Sequence, residues 1–403
     1  MSVQTAVATA HPLDRQVRLT LQIAMVIFVW TISIGILNGL DLMEFSREQL
    51  LSHLHGGTLG WMTLAIIGVT QWLFADGTTP PSEQSAKTIR FFAYLACVAI
   101  PLYVAAFATT FGVLRPIAGS ATLVALTGIA FWTYARAGSV TITVPRLLVI
   151  LGLTSSMLGG MFGVINGFAI AFDWTWVPES FFEAHPGTME IGFVMPVAMG
   201  LAEWGMRIGE EDVPTTRLGK VQAVLVMIGF VWVLGFILAA QDEVVGLGIL
   251  FGIIAIIIFY IRMRHHIKRI SWTARGPGRH AVAGGILLGI TFVYIFTIIT
   301  MAQGDFNAIP RGQLLSFIHL MAIGGTTNAL LAFVIHLVRR ASPPSVVDDA
   351  VFWGLNIGLV GFVVSLTLEL DGLVFVFVPI MGLALLLAIA TYLPQLNKAP
   401  ATP

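Results

Sequence analysis

Long apolar runs separated by short polar stretches repeat along the whole chain. A run of about 20 mostly apolar residues is long enough to cross a membrane as a helix. Twelve such runs can be counted, and the break near residues 241–245 is the least distinct. The runs cover residues 17–39, 55–74, 88–111, 116–134, 144–172, 189–206, 218–240, 245–261, 281–301, 314–337, 350–368 and 373–393. The pattern predicts an all-α integral membrane protein with twelve transmembrane helices.

The charges between these runs indicate an even number of spans. Cytoplasmic loops of membrane proteins carry an excess of Lys and Arg. If the segment with Arg15 and Arg18 is cytoplasmic, 18 of the 21 basic residues are cytoplasmic, and only three lie outside, namely Arg47, Arg115 and Arg311. We therefore expect a multi-pass protein of the cell membrane with both termini in the cytoplasm.

The composition narrows the class further. Of the 403 residues, 57% are hydrophobic and 10% are charged, which is too apolar for a soluble domain and predicts contact with membrane lipid. The single cysteine, Cys97, excludes an intrachain disulfide. Equal numbers of basic and acidic residues, 21 of each, exclude a general nucleic-acid binder.

Histidines recur near the beginning of every fourth span. They are His53 and His55 at the second span, His185 before the sixth and His319 in the tenth. The intervals are 130 residues from His55 to His185 and 134 from His185 to His319. An even number of spans per interval puts all four near the outer face. The spacing predicts one transmembrane domain, 1–403, with repeats over roughly 17–136, 144–262 and 280–393 and polar cytoplasmic tails at 1–16 and 395–403.

Histidine inside a membrane segment is costly, so the four outer histidines are candidate metal ligands. We expect the remaining ones to be ordinary: His336 to bond between helices, and the other four to be solvated, namely His11, His265, His266 and His280.

His53 and His55 are two residues apart, so on a helix their side chains lie about 200° apart. They can therefore serve two sites on opposite faces. Imidazole nitrogen is a common axial ligand of haem iron. Gly56 and Gly60 leave space for a flat macrocycle, although close helix packing explains these glycines too. Trp61 offers an aromatic edge.

The stretch 52–61, Ser-His-Leu-His-Gly-Gly-Thr-Leu-Gly-Trp, resembles the His-x-His segment of subunit I in the haem-copper oxidase and nitric oxide reductase superfamily, most closely its cbb-type members. The resemblance implies twelve spans in three four-helix arcs with haem ligands toward the outer side. It further implies a low-spin haem b on His55 and a second, high-spin haem or open site at His53.

Two features depart from that family. Its His-x-His lies on the tenth span and its lone histidine on the second, whereas here the order is reversed. Position on the spans pairs His55 with His319, and cyclic permutation of the arcs pairs it with His185. The family's copper site also needs an adjacent histidine pair on the seventh span, which has no histidine here. A copper centre is therefore not expected.

The sixth span contains the two acidic residues that lie clearly within a span. Glu190 is a candidate catalytic residue, as a proton carrier or, with His185, a ligand of non-haem iron, and an interhelical hydrogen bond explains it equally well. Glu203 is expected at the inner interface.

The sequence thus favours a haem b electron-transfer protein that acts on O2 or NO. We expect an electron-donor subunit or cytochrome to dock on the outer face. The alternatives are a polytopic transporter and a non-catalytic haem- or metal-binding membrane protein.

Overall fold

The computed structural model describes residues 11–75, 77–109, 112–210 and 212–398, and every regular element in these ranges is helical. Twelve long helices, α1 to α12, make up the bundle. They are, in chain order, Asp14–Gly39, Arg47–Ala75, Glu83–Ala108, Leu114–Ala137, Val144–Phe172, 179–206, Arg217–Leu238, Val245–Arg269, Pro277–Met301, Arg311–Arg339, Val347–Thr367 and Asp371–Gln395.

Eleven of these helices in the described ranges are long and apolar enough to cross a membrane. The twelfth, α6, is continuous over 179–206 but falls outside that set, since Glu190 and Glu203 lower its mean hydropathy. The chain is therefore a multi-pass helical membrane protein. Each predicted span matches one helix.

The first and last helices bring the two described chain ends together. The guanidinium of Arg18 donates to the carbonyl of Leu396 at 3.3 Å, and the Gln22 amide donates to Asn397 at 2.7 Å. The number of crossings is therefore even. We call this end of the bundle the terminal end. The opposite end, where α2 and α10 begin with Arg47 and Arg311, is the histidine end.

The observed helix ends differ from the predicted boundaries of the polar tails. Helix α1 already begins at Asp14, and α12 ends at Gln395. His11, expected to be solvated, is only 9% exposed because its ring stacks on Trp72 with centroids 3.9 Å apart. The rest of the predicted tails, 1–10 and 399–403, lies outside the described residues.

Helices α2, α6 and α10 share one unusual construction. Each begins with nine α-helical residues, continues with a π-helical segment and ends with twelve α-helical residues. The π segments are Gly56–Thr63, Thr188–Val194 and Leu320–Thr327. The three helices begin at residues 47, 179 and 311, so they start 132 residues apart. Because π-helix is rare and concentrates at functional sites, these segments direct attention to the histidines beside them.

Helices α2 and α10 lie at the centre of the bundle. The most apolar stretch of α2 is 89% buried and that of α10 is 78% buried, whereas α1, α5 and α7 reach 44% and leave the rest for lipid. The indole Nε1 of Trp61 on α2 donates to the Thr327 hydroxyl on α10 at 2.9 Å. This bond joins two of the π segments to each other.

Candidate functional site

A cavity of about 390 Å³ opens between α1, α2 and α10 at the histidine end. This volume lies within the usual range for small-molecule sites. His53 and His319 line it from opposite helices, and the two imidazoles are close enough to interact electrostatically. Most of the remaining wall is apolar, with contributions from Phe28, Ile32, Met62, Ile318, Phe362, Val378, Met381 and Leu385.

Both histidines in this cavity are held by one ring nitrogen. His53 Nδ1 donates to the carbonyl of Thr31 on α1 at 2.8 Å, and His319 Nδ1 donates to the carbonyl of Leu315 at 2.8 Å. A carbonyl can only accept, so Nδ1 carries the proton and Nε2 of the neutral ring keeps a free lone pair. No described residue bonds to either Nε2. A backbone bond on the distal nitrogen is how ligating histidines are oriented toward a metal.

Arg47 and Arg311 lie at the outer edge of the same cavity. Both are exposed, and neither forms a hydrogen bond or ion pair with any described residue. Each is also the first residue of its helix, where the macrodipole disfavours a cation. Helix stability therefore does not explain them, and together they make the cavity edge suited to an anion.

Some of the residues that follow His55 line the cavity, and others pack against a neighbouring helix. Trp61 is 2% exposed, lines the cavity and stacks on Phe28 with centroids 5.0 Å apart. Gly56 and Gly60 do not line it. A Cβ on Gly56 would meet Thr31 Oγ1 at 2.5 Å, and one on Gly60 would meet Ile27 at 2.3 Å. The macrocycle clearance predicted for these two glycines is therefore wrong, because close approach of α1 requires them.

Gly57 is the glycine of this stretch that lines the cavity. A Cβ on Gly57 would meet Thr31 Cγ2 at 3.3 Å, so α1 packs closely against this glycine as well.

His55 and His185 form a second pair on the other side of α2. His55 Nδ1 donates to the carbonyl of Leu51 and His185 Nδ1 to that of Gly159 on α5, both at 2.8 Å. The two imidazoles are electrostatic neighbours, and Arg115 is a further neighbour of His55. The opposite placement of His53 and His55, expected from their spacing, is thus present in the structure.

The two glutamates of α6 have different surroundings. Glu203 is fully buried among the helices, three residues before the end of α6 at the terminal end, and forms an ion pair with Arg262 at 2.5 Å. Glu190 is half-buried, and its carboxylate has no bonding partner among the described residues. No three or more His, Cys, Asp or Glu of the described ranges come together to hold a metal ion, so Glu190 and His185 belong to no such group.

His280 corrects the expectation that the histidines of the basic loop are solvated. Helix α9 begins at Pro277, so His280 is already helical, and it is fully buried. Its Nδ1 lies 3.0 Å from Asn328 Oδ1, and the Asn328 amide donates to Asn356 at 3.0 Å. Its charged neighbours in the sequence indicated a solvated residue, whereas the side chain faces α10.

The arginines at the cavity edge are the site residues that the sequence reading missed, since they counted only as exceptions to the positive-inside rule. A repeat could have revealed them. The text Arg-x-Gln-Leu-Leu-Ser occurs at 47–52 and again at 311–316. Its last residues also bond alike, Ser52 to the carbonyl of Val104 and Ser316 to that of Val363.

No model of a known protein family matches this chain, and no curated protein matches it. The likeness to haem-copper oxidases therefore stays a resemblance carried by ten residues and by the span count.

Proposed function

We propose that the protein binds haem b between His53 and His319 and transfers electrons within the membrane. One observation carries this proposal: two histidines, each with Nδ1 held by a carbonyl and Nε2 left bare, share an apolar cavity with two unpaired arginines at its edge. An iron with two imidazole ligands exchanges one electron without opening a coordination position.

The cavity fits haem in its chemistry as well as its ligands. The apolar walls suit a macrocycle, and Trp61 and Phe28 add aromatic surface. Arg47 and Arg311 can each bond a propionate, since guanidinium pairs well with carboxylate. Thr31 and Leu315, through their carbonyls, fix the tautomers of the two histidines.

The wider arrangement belongs to the same proposal. We infer three four-helix units from the common construction of α2, α6 and α10 and its interval of 132 residues. The 18-to-3 distribution of basic residues supports a cytoplasmic terminal end and an outward histidine end in the cell membrane. A donor subunit or cytochrome would then dock at the histidine end. Reduction of O2 or NO is implied by the resemblance alone.

A reduced-minus-oxidised optical spectrum of the purified protein tests haem binding. We expect the sharp bands of a low-spin b-type haem, and we expect His319→Ala to remove them or convert them to a high-spin spectrum. His265→Ala is the matched control, because this histidine is exposed and lies at the terminal end. A folded protein that purifies without haem, even after haem is added, would contradict the proposal.

A further inference from the structure

A larger cavity than the one at the histidines lies on the outside of the bundle, between α5 and α7. This α5–α7 groove has a volume of about 1070 Å³ and shares no residue with the histidine cavity. Along α7 its wall consists of residues three or four positions apart, namely Lys220, Val224, Ile228, Val231 and Gly235, so one face of the helix lines it. The three aliphatic side chains of this face are exposed, so the groove opens toward lipid.

The polar side chains that line the groove are bonded within the chain, except for one. The Thr215 hydroxyl donates to the carbonyl of Ile142 at 2.6 Å, and the Trp232 indole donates to that of Val244 at 2.9 Å. Lys220, near the terminal end of the bundle, has no hydrogen bond or ion pair with any described residue. The groove is therefore an apolar surface with an unpaired cation at one end.

Arg217 adds a second cation beside Lys220. The two residues are three positions apart, so their side chains lie about 60° apart on the same side of α7. Arg217 is exposed and also has no partner among the described residues. Both cations lie in the first turn of α7, where the macrodipole disfavours positive charge. Helix stability therefore explains neither of them.

The carboxylates of the preceding loop do not supply the missing partners. Asp212 forms its ion pair with Arg146 at 2.8 Å. Glu210 lies 3.3 Å from His266 and 3.9 Å from Arg207. The two cations of α7 thus remain available at the end of an otherwise apolar groove.

Helices α3 and α11 occupy the place of α7 in the other two inferred four-helix units, and they lack this arrangement. Helix α3 has Lys87 and Arg90 with the same three-residue spacing, but Lys87 is paired with Glu83 at 2.7 Å. Helix α11 has Asp348 and Asp349 in its first turn. The unpaired cations of α7 are therefore not part of the common construction, and they occur beside the groove.

The depth of the groove matches one leaflet of a bilayer. On α5 the lining residues are Leu147 and Leu151, which lie within residues 144–151, or about 12 Å of helix. The hydrocarbon core is about 30 Å thick, so walls on both sides are present over about one leaflet. A transmembrane helix of another subunit would need two walls through both leaflets.

We propose that the α5–α7 groove binds an anionic phospholipid, with its acyl chains between Leu151 and Val224 and its phosphate at Arg217 and Lys220. Basic pockets between transmembrane helices on the cytoplasmic side suit such headgroups, and the terminal end is cytoplasmic in the orientation proposed above. This inference goes beyond the proposed function, because no residue of the histidine cavity takes part in it.

Native mass spectrometry of the purified protein, titrated with dioleoyl phosphatidylglycerol, tests the site. We expect one phosphatidylglycerol per chain to stay bound at a collision energy that removes dioleoyl phosphatidylcholine. Arg217→Gln with Lys220→Gln should weaken phosphatidylglycerol binding about thirtyfold, or about fivefold for each cation at the headgroup. The matched control, Lys87→Gln with Arg90→Gln, removes two cations of the same spacing away from the groove and should leave binding unchanged.

A second pair of variants tests the apolar part of the groove without a change of charge. Val224→Trp places a bulky ring between α5 and α7 at an exposed position, so it should remove the bound phosphatidylglycerol. Val221→Trp changes an exposed residue of the same helix that does not line the groove, so it should retain the lipid. Thermal unfolding in detergent should show that both variants remain folded.

Several results would overturn this site. Equal retention of phosphatidylglycerol by the wild type, the charge variant and Val224→Trp would show that the groove does not bind it. Equal retention of phosphatidylcholine would remove the role of the cations. Displacement of phosphatidylglycerol by inorganic phosphate alone would assign the cations to free phosphate. A dimer that Val224→Trp dissociates would assign the groove to a second copy of the chain. Haem content is measured separately and bears on none of these outcomes.

Discussion

The two ends of the bundle differ in how their polar residues are bonded. At the terminal end the charges satisfy one another: Glu203 pairs with Arg262, and Asp348 pairs with Arg339. At the histidine end, four imidazoles keep a bare Nε2, and Arg47 and Arg311 have no partner among the described residues.

The difference distinguishes polar groups that stabilise the fold from polar groups that are available to bind a ligand. A polar group in a membrane protein costs free energy unless it is bonded, so a group that the chain leaves unbonded is kept for something else. Polar groups that bond to one another hold helices together. An imidazole nitrogen without a partner occurs at the terminal end too, namely the fully buried Nε2 of His280. The histidine end differs because its four imidazoles lie in two pairs with arginines nearby, and this arrangement indicates a ligand.

The largest expected effect comes from disrupting a buried ion pair at the terminal end. Arg262→Met removes the closer of two arginines that pair with the fully buried Glu203 and leaves Arg207 at 3.3 Å. The loss should approach the cost of about 3–5 kcal/mol for breaking a buried ion pair completely. Thermal unfolding in detergent should show this loss, while the haem content of the folded fraction stays unchanged.

The controls for Arg262 lie on the same helices. Arg264→Met changes an exposed arginine two residues away and should alter stability little. The double variant Arg262→Met, Glu203→Met should regain most of the stability, because the buried carboxylate is gone and Arg207 still has Glu210 at 3.9 Å. A single variant as stable as the wild type would mean that this end does not depend on its ion pairs.

Much of the fold follows from the sequence because membrane spans and loop charges leave a strong signal in one dimension. The opposite placement of His53 and His55 follows as well, since helical geometry alone determines it. The partners of these histidines could not be predicted in this way. They depend on which helices meet across α2, and that is decided by packing such as α1 against Gly56 and Gly60.

Burial was equally hard to predict for residues near helix ends. His280 and His11 have polar neighbours along the chain, yet their side chains face other helices. The role of Arg47 and Arg311 was concealed because the topology rule treats every outside cation as an exception.

The next largest effect concerns haem affinity and the two arginines at the cavity edge of the histidine end. Arg47→Gln and Arg311→Gln each remove an exposed charge worth about 1 kcal/mol or less to a bound carboxylate, so the double variant should hold haem about tenfold more weakly. Transfer of haem to an excess of apomyoglobin measures this. The haem-free protein should not lose stability, since each arginine opposes the dipole of its helix.

The Lys variants provide the comparison for the arginines. Arg47→Lys with Arg311→Lys keeps both charges and should recover part of the haem affinity, less than wild type because lysine cannot bond a carboxylate in two places. High salt should reduce the difference between arginine and glutamine. Equal haem retention in all these proteins would show that the arginines have another role.

The smallest effect concerns polar groups at the histidine end that are bonded within the chain. Ser52 donates to Val104 at 3.0 Å and Ser316 donates to Val363 at 3.2 Å, at the same position of α2 and α10. Ser52→Ala and Ser316→Ala should each cost about 1 kcal/mol of unfolding free energy, with additive effects and unchanged haem content. Ser33→Ala, at an exposed hydroxyl within α1, should cost less. If either serine variant loses haem, a side chain that is bonded within the chain also supports ligand binding at this end.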